Sequence, residues 1–258
     1  MWSKLSIENT STHFWKVANK CIYIKKRNKE WLYSINEIDI HEDSINFGEL
    51  TTEDIDVEWL TVVGEKNSSL LSLPALPDRP IVVRPETSFK ILPGKNILVF
   101  IQIPLWIQFY AGTKKKENLI FECNSIELSS TWFGEPDSGT LAYSLRLKPD
   151  EQLFEKPKVF TNKIVCPIRL TNDSNAPLDV QRLLLHGEYL NIYGDGNQLY
   201  TNEVKIKFKG ISEVSDVQYS NQSPSFSEHT GQISSARSAK ANNVISKSFH
   251  YIKSLTNY

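Results

Sequence analysis

Cysteine is scarce in this chain, with only Cys21, Cys123 and Cys166 among 258 residues. An odd number at wide spacing excludes a disulfide framework and a Cys-x-x-Cys metal knuckle, so buried thiols are expected. Charge of one sign is also lacking. The formal net charge is −1, which removes the simplest electrostatic argument for nucleic-acid binding, because a phosphate backbone is held by a surplus of Lys and Arg on one face. No run approaches the roughly 18 to 20 apolar residues that cross a bilayer, and the opening MWSKLSIENTSTHFWKVANK has no signal-peptide core. The protein reads as cytoplasmic. Glycine-rich phosphate loops, GxGxxG and HExxH are all missing, so standard cofactor chemistry is unsupported and neither cofactor nor metal is expected.

Helical periodicity is scarce too. Short β-branched and aromatic segments such as KCIYIKK, EWLYSI and IDVEWLTVV alternate with polar breaks, as strands do. Pro80, Pro85, Pro93 and Pro104 punctuate the next stretch at intervals that a helix interior does not tolerate. Pro93-Gly94 is a turn dipeptide feeding an apolar strand from Asn96 to Ile103. Strand-like segments continue at short spacing, with turn clusters such as Asp173 to Pro177 between them. This pattern predicts an all-β fold, an immunoglobulin-like sandwich of mostly antiparallel strands over residues 1–211. That region is one domain or two packed sub-sandwiches with a boundary near 155–163.

Two further features are local. Met1 to Ser34 carries seven cations and two acids, whereas Asn36 to Glu58 carries nine acids and neither Lys nor Arg. Solvated edges are the preferred reading over a facing pair of strands. At the other end, 212–233 is rich in Ser, Gln and Asn and reads as a flexible linker. Beyond it Val244, Ile245, Phe249, Ile252 and Leu255 fall at helical spacing, while 234–258 has four cations and no acids. An amphipathic C-terminal helix is predicted, with those five residues as partner-binding candidates.

Candidate chemistry is thin. WFGEPDSGTLAYSLR puts Glu135, Asp137 and Ser138 where a hairpin must reverse: proline suits the first turning position, and Gly139 is expected at positive φ. As a catalytic loop it would need a carboxylate pair with separated pKa values or a serine with a partnered base, and GxSxG is not matched. His186 and Glu188, at i and i+2, would share one face of a strand, a geometry that metal sites and acid–base pairs use. His13, His41, His229 and His250 are scattered. Lys114-Lys115-Lys116 reads as a soluble loop in preference to a phosphate cluster.

The order RPIVVRP, ILPGKNILVFIQIPLWIQFY, TWFGEPDSGTLAYSLRLKP and VCPIRLTNDSNAPLDVQRLLLHGEYLNIY resembles the prokaryotic domain-of-unknown-function family 432. The resemblance rests on Pro93-Gly94 with Pro104, on Gly134 to Gly139, and on Ile168 to Ser174 followed by Leu183-Leu184-Leu185. It spans roughly Glu30 to Gly210. Where family members carry a tryptophan and an arginine after the hairpin, this chain has Tyr143 and Arg146. The resemblance implies a soluble, β-rich protein and carries over no catalytic residue.

The expected function is therefore non-enzymatic: a β-sandwich module that binds a protein partner or a second copy through the C-terminal helix, with membrane contact ranked below protein docking. The alternative is a hydrolase or carbohydrate-acting domain using Glu135, Asp137, His186 and Glu188. Convergence of those four in one pocket discriminates the two readings.

Overall fold

Alternating and β-branched segments are realised as strands almost throughout. The computed structural model describes residues 2–8, 11–50, 55–65, 69–112, 117–147, 155, 162–194, 198–210, 215–224, 231–238 and 244–246. In chain order the first ten strands are β1 (Lys4–Leu5), β2 (Thr12–Arg27), β3 (Glu30–Leu50), β4 (Leu60–Val63), β5 (Ser69–Ala75), β6 (Ile81–Pro85), β7 (Phe89–Ile91), β8 (Asn96–Pro104), β9 (Trp106–Gly112) and β10 (Glu117–Asn124). There follow β11 (Ser130–Phe133), β12 (Thr140–Leu147), β13 (Lys163–Asn172), β14 (Leu178–Val180), β15 (Leu183–Leu185), β16 (Ile192–Gly194), β17 (Leu199–Thr201) and β18 (Val204–Phe208). The last three are β19 (Ser215–Tyr219), β20 (Gly231–Ser234) and β21 (Val244–Ser246). A single 3-10 turn, Gly187–Tyr189, interrupts them, and the described residues contain no α-helix.

The chain forms two units that are interleaved in sequence. One comprises Met1–Ala75, Pro104–Glu127 and Phe160–Lys163; the other comprises Leu76–Ile103, Leu128–Val159 and Ile164–Tyr258.

In the first unit, β2 and β3 pair as a long antiparallel hairpin. Its reversal is a two-residue loop in which Asn28 takes φ 57°, a conformation that asparagine tolerates and hairpin turns favour. The basic and acidic stretches are thereby laid across from each other on paired strands and not on separate edges: Lys20 is opposite Glu37 and His13 opposite Glu49, with both glutamates exposed. Strands β1, β5, β9 and β10 form a second antiparallel sheet in the same unit. Aromatic rings fill this core. Trp15 meets Phe109 edge-on at 4.9 Å, Phe109 stacks on Phe121 at 4.6 Å, and Tyr33 stacks on Phe121 at 4.0 Å.

In the second unit β6 is flanked by β12 in parallel and β15 antiparallel, with β11 beyond β12. Val82, Phe133, Ala142 and Leu184 are buried together on one face of this sheet. Strand β13 is the centre of another sheet, where it pairs in parallel with β17 and β18 and also with β8. Ile164, Val165, Cys166, Ile168 and Leu170 of β13 are all buried, as expected of a strand covered on both faces. The Pro93-Gly94 turn forms as predicted, with Gly94 at φ 69° and the Lys95 N–H donating to the Leu92 carbonyl at 3.1 Å.

The C-terminal helix expected over 234–258 is not formed by the described residues of that segment. Gly231–Ser234 is strand β20 on β16, and Val244–Ser246 is strand β21 on β19. Val244 and Ile245 are β-branched, and the open edge of β19 supplies backbone partners that outweigh a marginal helical spacing. Within the segment read as a linker, Ser215–Tyr219 is strand β19 on β18.

Candidate functional site

The stretch from Trp132 to Arg146 is a β-hairpin, with Phe133 opposite Thr140 and Trp132 opposite Leu141. Pro136 occupies the first turning position, and the Ser138 N–H donates to the Glu135 carbonyl at 3.3 Å. The left-handed residue is Gly134, at φ 107°, rather than Gly139 as expected. Gly139 serves a different need. A Cβ there would sit 2.7 Å from both the Glu135 and the Phe133 carbonyl oxygens and would strike the Trp132 indole nitrogen. That nitrogen donates to the Glu135 carbonyl at 2.9 Å, closing the tip. Glu135, Asp137 and Ser138 are exposed.

His186 and Glu188 do meet, but on a 3-10 turn and not along a strand. The His186 Nδ1 lies 2.9 Å from the Glu188 Oε1, and both side chains are largely buried. The Glu188 Oε2 is buried without a hydrogen-bond partner. Tyr189 packs 5.9 Å from the His186 ring and 5.5 Å from Tyr219. Burial first, then the Glu188 carboxylate, Cys166 and Tyr189, push the Tyr219 phenol above its usual range, while a backbone hydrogen bond from His186 pulls the other way. The Ser238 N–H donates to the Glu188 carbonyl at 3.0 Å, and Arg237 Nε to the Leu76 carbonyl at 2.8 Å. This cluster anchors the segment after β20. Among the described residues, no hydroxyl or thiol side chain is hydrogen-bonded to the His186 imidazole, the contact that would turn a His–Glu pair into a nucleophile-activating one; the Tyr219 phenol meets the His186 backbone instead.

The structure brings His186 to Glu188 and gives neither a contact with Glu135 or Asp137 among the described residues. No group of three His, Cys, Asp or Glu residues is placed to share a metal ion among those residues. Val244 and Ile245 lie in β21, whereas Phe249, Ile252, Leu255 and the lysines at 114–116 lie outside the described residues. No helix among the described residues is long and apolar enough to cross a membrane.

Three features were missed in the sequence. Trp132 and Leu141 lie opposite each other on the hairpin, 46% and 47% exposed. Arg84 and Arg146 are register partners on β6 and β12, and Arg182 directly precedes β15, which pairs with β6. Arg84 Nη2 donates to the Thr131 hydroxyl at 3.0 Å, and Arg182 Nη2 to the neighbouring Trp132 carbonyl at 3.0 Å, with its guanidinium 5.5 Å from the Phe133 ring centroid. The third is Asn172. Buried at the end of β13, it donates to the Ile91 and Ala176 carbonyls at 2.8 Å each and accepts from Ser174 N and Oγ at 3.0 and 2.7 Å. The only signal in the sequence was the Asn-x-Ser spacing, which marks a turn in which the asparagine bonds its own backbone two residues on.

No curated protein and no solved structure matches the chain. One family model does match, over residues 1–253, well beyond the stretch that carried the resemblance. The Pro93-Gly94 turn, the closed Gly134 to Gly139 tip and the Asn172 to Ser174 clasp all lie within the matched residues, and the chain belongs to the family described as Protein of unknown function (DUF432).

Proposed function

We propose that the protein is a non-enzymatic binding module whose β11–β12 hairpin docks a protein partner. The observation that carries this reading is the side-by-side exposure of Trp132 and Leu141 at a hairpin tip held closed by its own hydrogen bonds. A rigid apolar pair at a loop tip is a favourable anchor, because little side-chain entropy is lost on docking. The solvated positions of Glu135 and Asp137 favour it over the hydrolase alternative, which needs acids in a water-excluding pocket.

The test is affinity capture from the native host with the wild-type chain and with a Trp132→Ser, Leu141→Ser pair, quantified by mass spectrometry. The reading expects a discrete partner that is lost with the pair and retained by Glu135→Gln with Asp137→Asn. Loss of a cellular phenotype in the acid pair with the fold intact would instead favour the hydrolase.

A sandwich packing of immunoglobulin-like character belongs to the same proposal. Support comes from one-sided strands such as β18, where Val204, Ile206 and Phe208 are buried while Lys205 and Lys207 are exposed. A cytoplasmic location is supported by three buried free thiols and is checked by cell fractionation.

A further inference from the structure

A row of arginines on one sheet is an electrostatic problem that the fold does not solve internally. Arg146 and Arg84 are register partners on adjacent strands, so their side chains leave the same face. Arg182 approaches from the far side of β6, and the Arg84 and Arg182 guanidinium groups end on consecutive residues of β11, Thr131 and Trp132. Each bonds to protein through Nη2 alone, and each Nε is buried with no acceptor. Among the described residues neither has a carboxylate within ion-pair distance. The acid nearest to Arg182 along the chain, Asp179, instead accepts from Gln181 at 2.9 Å. Burial and the neighbouring Arg84 charge both lower the Arg182 pKa, so the site would be relieved by negative charge.

We propose that Arg84 and Arg182, with Arg146 at the exposed rim and the Thr131 hydroxyl beside them, bind the phosphate group of a small molecule. Two half-buried planar forks with N–H groups unused by protein suit an oxyanion with several oxygens better than a single-pronged partner. Phe133 and Thr131 hold the forks in place before the ligand arrives, which lowers the entropy lost on binding. The site does not depend on the Trp132–Leu141 docking reading, since Trp132 contributes only its backbone carbonyl.

The experiment is thermal unfolding and titration calorimetry of the full chain with inorganic phosphate, against chloride and acetate at matched ionic strength. A saturable rise in midpoint is expected, about 3 to 6 °C at a tenfold excess over Kd, with phosphate well ahead of acetate. Arg84→Gln and Arg182→Gln should each weaken phosphate binding by at least about tenfold, with Arg182→Lys intermediate because it keeps the charge and loses the fork. Lys95→Gln, an exposed lysine on the Pro93-Gly94 turn, should change nothing. A brace without ligand predicts lower midpoints in chloride and an undiminished phosphate increment in the variants; that pattern overturns the proposal. So does an acetate response equal to that of phosphate. If Arg182→Gln fails to fold, Arg84→Lys and Thr131→Val read the same increment.

Discussion

Gly139 shows how a correct turn can be assigned for the wrong atomic reason. The proline and the two glycines announced a reversal, but which glycine turns left-handed and which lies under an indole depends on where Trp132 swings, and that is a tertiary fact. Gly139→Ala should destabilise by about 1 to 3 kcal/mol, since the added methyl overpacks against two carbonyl oxygens in the tip. Urea denaturation checks the value. A neutral substitution would mean that the tip is loose. His13 gives a second residue-scale prediction. Burial lowers its pKa below 6.5, with Glu49 opposing. Its contribution is therefore undiminished above pH 6.5, falls as pH drops through 6.5, and levels off once the folded-state value is passed. Urea midpoints at about pH 7.5 and about pH 5 should differ less in His13→Gln than in wild type. An equal difference would place the acid sensitivity elsewhere. The arginine row was illegible for a related reason: RPIVVRP and DVQRLLL look like ordinary strands until the register of β6 with β12 and β15 puts their cations together.

Strands were the most legible elements because β-branched and aromatic runs with polar breaks need no partner to be recognised. The long β2–β3 hairpin was less so. Its charge asymmetry was visible, but facing strands and separate edges leave the same trace in a linear sequence. At the C-terminus, Ile245 has Phe249 and Ile252 at helical spacing, yet Val244 and Ile245 are also β-branched neighbours, so β21 could pass for a helix until the edge of β19 was seen. A consequence follows for truncation. Because β20 covers the edge of β16, and Ala236 and Ser238 donate to Asn191 and to the Glu188 carbonyl, removing 231–258 should lower the thermal midpoint by roughly 5 to 10 °C. A detachable docking arm would leave the midpoint unchanged. Asn172→Ala should be as severe in a single residue, on the order of 3 kcal/mol, because it strands the buried Ile91 carbonyl and removes the part-buried bonds to the Ala176 carbonyl and from the Ser174 N–H that tie β13 to β7 and to the loop before β14. Chemical denaturation of the variant provides the number, and a loss under about 1 kcal/mol would mean that water replaces the amide.

At the scale of the molecule, buried thiols report on both units. Burial pushes Cys123 and Cys166 up to about 12, and Cys21 is buried as well. None should react with a thiol reagent at about pH 8 until the protein opens. Cys21 and Cys123 belong to the first unit and Cys166 to the second. Because β8 and β13 each run from one unit into the other, all three should be labelled at one rate, as judged by mass spectrometry of digests; separate rates would show independent opening. The same interleaving governs how the chain can be made. Strand β5 finds β9 only after β6, β7 and β8 have left the ribosome, and those three wait for β12, β13, β14 and β15. A nascent chain halted between β10 and β12 would therefore display the apolar face of β6 with no neighbour on either edge, a species that chaperones bind and that aggregates if they do not.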